Sequence, residues 1–199
     1  MTQAMWTIPN LLTMARILAA PALAVIYAVF DAALAHWIAL VVFVGAALTD
    51  FVDGWLARAL NQTSAIGKML DPIADKVMVM IALALLLALF GAEAWITIPV
   101  AVIFTREVLV SGLREYLGQV ALSVTTLAKW KTTAQMTAIA GLFLTLALAQ
   151  VPPAPANLAT DGVTATLVWA SPMDGYGLQV ALASIGLLWV AAILTAITG

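Results

Sequence analysis

Four aspartates fall within 26 residues at the edges of two long apolar runs, Asp50 and Asp53 closing one and Asp71 and Asp75 opening the next. On a helix, Asp50, Asp53, Gly54 and Ala57 stand at i, i+3, i+4 and i+7, one face, with Arg58 beside them, and Asp71 and Asp75 stand at i, i+4. A short connection over 59–69 makes the two helices antiparallel neighbours, so the two pairs can converge. An ionised side chain at membrane depth costs ~2.5–3.5 kcal/mol. Convergence is therefore tolerated only if several carboxylates are protonated or a cation sits between them. Oxygen donors with no cysteine and no nearby histidine favour a hard ion, Mg²⁺ or Mn²⁺. Four carboxylates suffice for two such ions ~4 Å apart, an arrangement that stabilises the attacking and leaving oxygens of a phosphoryl displacement. The plainer alternative pairs the acids with Arg58, Lys68 and Lys76, although buried ion pairs rarely repay their desolvation. Gly54, Ala57 and Gly67 are small enough to let a bulky ligand reach the backbone, or simply to pack helix on helix.

A second cluster is cationic. Arg106 and Arg114 lie eight residues apart, nearly one helical face, and Lys129 and Lys131 open the next apolar run, with Glu107 and Glu115 beside the arginines. Such a group suits a phosphate-bearing ligand, because a guanidinium pairs with phosphate bidentately. Charge alone also fits the positive-inside rule and anionic lipid headgroups.

The elements that position these groups follow from composition. The chain has 199 residues, 64% of them hydrophobic, and 18 charged side chains, or 9%. A soluble domain carries ~25% charged residues and leaves about a third of its surface exposed. A soluble enzyme, a nucleic-acid-binding module and a disordered regulator are thereby excluded, and nucleic acid is not an expected partner. Unbroken apolar runs such as Ile81–Phe90 and Val180–Ile197 lack the alternation of a membrane β-barrel. The fold class is an all-α integral membrane protein, one domain over 1–199. At about 20 apolar residues per span, six transmembrane helices are predicted near 9–30, 35–58, 70–90, 94–118, 130–150 and 178–198.

With six spans, all eight cations (Arg16, Arg58, Lys68, Lys76, Arg106, Arg114, Lys129 and Lys131) fall toward one face, and the opposite loops carry Asp31, Glu93, Asp161 and Asp174. The positive-inside rule makes that face, and both termini, cytoplasmic. Trp37, Trp95 and Trp169 read as anchors at the outer boundary, and His36 as a wet interfacial residue beside them. Within the first span, Asn10 reads as a helix cap and Arg16 as a snorkelling side chain. No cation precedes the first apolar run, so a cleavable signal peptide is not expected. The segment 151–177, with its prolines and Asp161-Gly162, reads as loop.

Taken together, Asp50-Phe51-Val52-Asp53-Gly54-Trp55-Leu56-Ala57-Arg58 followed by Gly67, Asp71 and Asp75 resembles the signature of the CDP-alcohol phosphatidyltransferase family: D-x2-D-G-x2-A-R, eight residues, then G-x3-D-x3-D. All eight specified positions are filled at the right spacing. The resemblance implies that family's six-helix fold, a CDP-linked lipid substrate and two divalent cations at the cytoplasmic boundary. It assigns Asp50, Asp53, Asp71 and Asp75 as metal ligands, with Asp75 also the base for the acceptor alcohol. Gly54, Ala57, Arg58, Ser64 and Gly67 would line the cytidine diphosphate, joined by Asn10, Thr13 and Arg16 from the first span.

The stretches Thr105–Glu115 and Lys129–Met136 resemble the members of the family that join CDP-diacylglycerol to sn-glycerol 3-phosphate with release of CMP. The implied acceptor-phosphate pocket is Arg106, Arg114, Lys129 and Lys131. A homodimer among membrane lipids in a bacterial inner membrane, its active site facing the cytoplasm, is also implied. Three features depart from that group. Ala128 stands where a glycine is common, the 151–177 loop is long, and the chain stops at Gly199 without a polar tail, which reads as a shortened C-terminus. Competing acceptors are inositol phosphate, phosphatidylglycerol and serine, the last disfavoured because it carries no phosphate. A divalent-cation transporter is the competitor from another class. Its acids should lie near the bilayer midplane, and it gains nothing from the absence of an internal repeat.

Overall fold

A computed structural model describes residues 8–59, 65–117, 126–149 and 175–198. Six helices account for nearly all of them: α1 (Ile8–Val29), α2 (Ala32–Ala59), α3 (Ala65–Phe90), α4 (Ala94–Leu117), α5 (Thr126–Ala149) and α6 (Gly175–Ile197). Each contains a window long and apolar enough to cross a bilayer. The protein is a multi-pass membrane protein.

The helix ends have local causes. Asp31 caps α2, its carboxylate accepting from the Leu34 amide at 3.1 Å while its carbonyl accepts from Ala35 at 2.8 Å. The Glu93 carbonyl starts α4 by accepting from Ile96 and Thr97. Between α3 and α4, Gly91 adopts φ 80°, a left-handed conformation that glycine takes at little cost and that closes the turn in three residues. Helix α3 begins at Ala65, several residues before the expected start, so Gly67 and Lys68 are helical rather than part of a loop.

The chain divides into two compact units, Met1–Ala82 and Leu83–Gly199. In the first, α1 and α2 pack against each other through the short Phe30-Asp31 connection. Alanines at one-turn spacing (Ala35, Ala39, Ala46) together with Phe43 form the buried face of α2, and Leu23 and Ile26 belong to that of α1. Small residues let membrane helices approach closely. The opposite faces are large and apolar: Leu18, Val25, Val41 and Leu48 are each more than half exposed, as hydrocarbon contact requires. His36 corrects the reading of a wet interfacial residue. It is buried at 3% exposure and its Nδ1 lies 3.1 Å from the Tyr27 hydroxyl. The α1–α2 contact covers an imidazole that position alone had put in water.

In the second unit α6 packs mainly on α5 and also on α4. Gly141 is the closest point, since a Cβ there would lie 2.1 Å from Ser184 Oγ. The Trp189 indole donates to the Trp95 carbonyl at 3.0 Å, and the Trp95 ring stands edge-on to Phe90. Trp95 therefore ties α6 to the start of α4 in addition to any anchoring role. Trp169 lies outside the described residues.

Candidate active site

In the first unit the acids at the end of α2 and the start of α3 are organised around one arginine. Arg16 Nη1 donates to Asp50 Oδ1 on α2 and to Asp75 Oδ1 on α3, each at 2.5 Å, and Nη2 lies 4.0 Å from Asp71 Oδ1. One turn earlier on α1, the Thr13 hydroxyl donates to Asp71 at 2.6 Å. The 13/71 and 16/75 contacts advance together, so α1 and α3 run in the same direction. The Arg16 side chain is 2% exposed, whereas those of Asp50, Asp71 and Asp75 are 43%, 46% and 40% exposed. A buried cation thus sits beneath a half-open ring of carboxylates. This limits their desolvation and leaves lone pairs facing outward.

Two readings of the first span are corrected. Arg16 does not snorkel to water: it turns inward, because three carboxylates offer more than the interface does. Asn10 is the third residue of α1 rather than its cap, and it is buried on the same side as Thr13 and Arg16 at i, i+3 and i+6. Their burial together on α1 was not legible from a cap or a charge taken singly. The signal that could have found it is the arginine within an apolar run, which calls for an anionic partner.

Asp53, Gly54, Ala57 and Arg58 lie in the helical end of α2, with side chains outside the described residues, and Ser64 lies outside them altogether. Gly67 is buried near the start of α3. Among the described residues no three carboxylates converge closely enough to hold one metal ion, the guanidinium of Arg16 standing among them. In donor type the site nevertheless suits a hard divalent cation, being built, among the described residues, of partly exposed carboxylate oxygens with no competing nitrogen or sulfur ligand.

The second unit brings Arg106 and Lys131 together on a residue that the sequence reading left unassigned. Glu107 Oε1 accepts from Lys131 Nζ at 2.5 Å and from Arg106 Nη1 at 3.3 Å. Arg106 Nη2 also donates to the Thr198 carbonyl at the end of α6, at 2.8 Å. All three charged side chains are only 10–16% exposed. Arg114 and Lys129 have side chains outside the described residues. No local pattern announces Glu107, whose lysine partner is 24 residues away.

The helical membrane architecture and the aspartate cluster define an enzyme class, and the family comparison agrees: the CDP-alcohol phosphatidyltransferase model matches residues 6–197, and the chain belongs to that family. Among its relatives, the CDP-diacylglycerol–glycerol-3-phosphate 3-phosphatidyltransferase of Cereibacter sphaeroides is 47% identical over 98% of this chain and 92% of its own length. Proteins of the same name from Wigglesworthia glossinidia brevipalpis and Salmonella choleraesuis are each 40% identical, over 68% and 69% of this chain and 75% and 76% of their own lengths.

Proposed function

We propose that this protein transfers the phosphatidyl group of CDP-diacylglycerol to sn-glycerol 3-phosphate, giving phosphatidylglycerophosphate and CMP. The observation that carries the reading is the gathering of Asp50, Asp71 and Asp75, three acids of the family signature, around a single buried arginine. The names of the similar proteins support the choice of acceptor. The whole chain acts as one catalytic domain, a homodimer among the lipids of a bacterial inner membrane, with its active site toward the cytoplasm.

Asp50, Asp53, Asp71 and Asp75 would hold two divalent cations, Mg²⁺ or Mn²⁺, whose charge neutralises the diphosphate and makes CMP a good leaving group. Asn10, Thr13, Arg16, Gly54, Ala57, Arg58, Ser64 and Gly67 line the CDP moiety. Asp75 takes the proton from the attacking hydroxyl of glycerol 3-phosphate. That oxygen bonds to the phosphorus bearing the diacylglycerol, and the bond to the CMP oxygen breaks with its electron pair leaving on CMP. Arg106, Arg114, Lys129 and Lys131 hold the acceptor's phosphate, which fixes the hydroxyl for attack.

The test is CMP release from CDP-diacylglycerol by the purified protein, with Mg²⁺ or Mn²⁺ and with glycerol 3-phosphate, inositol 1-phosphate, serine or phosphatidylglycerol offered separately. Release with glycerol 3-phosphate alone is expected. Release with another alcohol would keep the aspartate site and discard the acceptor assignment.

A further inference from the structure

The Arg106–Glu107–Lys131 cluster has a property that a simple phosphate pocket would lack. Its two cations already share an anion. Glu107 Oε1 accepts from Lys131 Nζ at 2.5 Å and from Arg106 Nη1 at 3.3 Å, so a carboxylate stands where a phosphate oxygen would bridge the same two donors. The cluster is largely removed from solvent, with 10%, 13% and 16% of the Lys131, Glu107 and Arg106 side chains exposed, so charge balance within it is weakly screened. Arg106 is held at one corner by the Thr198 carbonyl. Its Nε is buried without a hydrogen-bond partner among the described residues. A buried donor left unsatisfied is costly, and an incoming anion is the kind of group that would relieve it.

We propose that Glu107 is a specificity-determining residue, an internal counterion that reserves the Arg106–Lys131 seat for a dianionic phosphomonoester and excludes monoanionic phosphodiesters. The inference rests on the acceptor role assigned above to Arg106 and Lys131. Charge decides between the two classes of ligand. A phosphomonoester carries close to two negative charges near neutral pH, its second pKa being ≈ 6. It outcompetes a single carboxylate for two cations and displaces Glu107. A phosphodiester carries one charge, matches the carboxylate it would displace, and gains nothing by the exchange. Discrimination of this kind matters at a bilayer surface, where phosphodiester headgroups vastly outnumber any soluble phosphomonoester. Without Glu107, two bare cations would attract both classes.

The experiment titrates the full-length purified protein in detergent with methyl phosphate, a monoester dianion, and with dimethyl phosphate, a diester monoanion. Binding is read by calorimetry or by protection against thermal unfolding. The wild-type protein is expected to prefer methyl phosphate by about tenfold or more, and Glu107→Gln to bring the two affinities within about threefold by tightening the diester. Glu107→Asp, which keeps the charge, should retain most of the preference. A wild-type protein that binds both probes equally overturns the proposal, whether or not Glu107→Gln folds. So does a Glu107→Gln protein that weakens both probes in proportion, since that is the result of a merely structural prop. CMP release with glycerol 3-phosphate is measured in parallel. Absent turnover with intact discrimination would remove the proposed reaction and leave the role of Glu107, and the converse would remove only the role of Glu107.

Discussion

Arg16 and Asp75, 59 positions apart in sequence, meet at 2.5 Å between two helices that run in the same direction. The same guanidinium nitrogen also holds Asp50, so a single cation on α1 fastens the signature acids of α2 and α3. The relationship makes Arg16 a structural requirement of the site as well as a candidate for binding diphosphate.

Replacing Arg16 by Ala should therefore lower stability in metal-free buffer. Removing one partner of a fully buried pair costs ~3–5 kcal/mol, but these carboxylates are about two-fifths exposed, which reduces the expected loss to about 1–3 kcal/mol. Thermal unfolding in detergent checks this. Millimolar Mg²⁺ should recover part of the loss, and no change in the unfolding midpoint would contradict the pairing.

Asp75→Asn should reduce CMP release by about 10²-fold or more, the range attributed to a positioned general base, while CDP-diacylglycerol binding is largely retained. A variant that turns over normally would rule Asp75 out as the base. Chelation of divalent ions by EDTA should abolish release from the wild-type enzyme, with Mg²⁺ or Mn²⁺ restoring it.

Lys131→Met and Arg114→Ala should each raise the apparent KM for glycerol 3-phosphate by about tenfold or more, consistent with loss of a charge-assisted contact to phosphate. The KM for CDP-diacylglycerol should move far less. Equal effects on both substrates would dissolve the acceptor pocket.

Gly141→Ala tests the α5–α6 contact. The added methyl would meet Ser184 Oγ at 2.1 Å and Ser184 Cβ at 3.1 Å, and the second of these cannot rotate away. Overpacking of this kind costs about 1–3 kcal/mol. Pairing it with Ser184→Gly should restore most of the loss in thermal stability, since the obstacle is removed. A double variant no better than Gly141→Ala would place the strain elsewhere.

Much was legible in the sequence. The six spans follow from hydrophobic length, and the helix bounds agree with expectation to within a few residues, except that α3 starts five residues early. The grouping of Asp71 and Asp75 on one helix follows from 3.6-residue periodicity. His36 was misread because burial of a polar side chain depends on which neighbour covers it, here α1 with its Tyr27. Arg16 was misread for a related reason: its distance along the span suggested the interface, while its real environment is set by two other helices.

By itself, then, the sequence determined what is local and additive: apolar length, charge placement, and an eight-position signature whose spacing encodes one helical face after another. It could not determine that Arg16, from another helix, would be a partner of these acids, since Arg58, Lys68 and Lys76 lie nearer to them in sequence. Nor could it show that Glu107 would stand between Arg106 and Lys131. Those choices depend on the rotation and depth of whole helices packed against one another, and only the tertiary structure sets them. At contact distances a shift of one turn, about 5.4 Å, exchanges one partner for another.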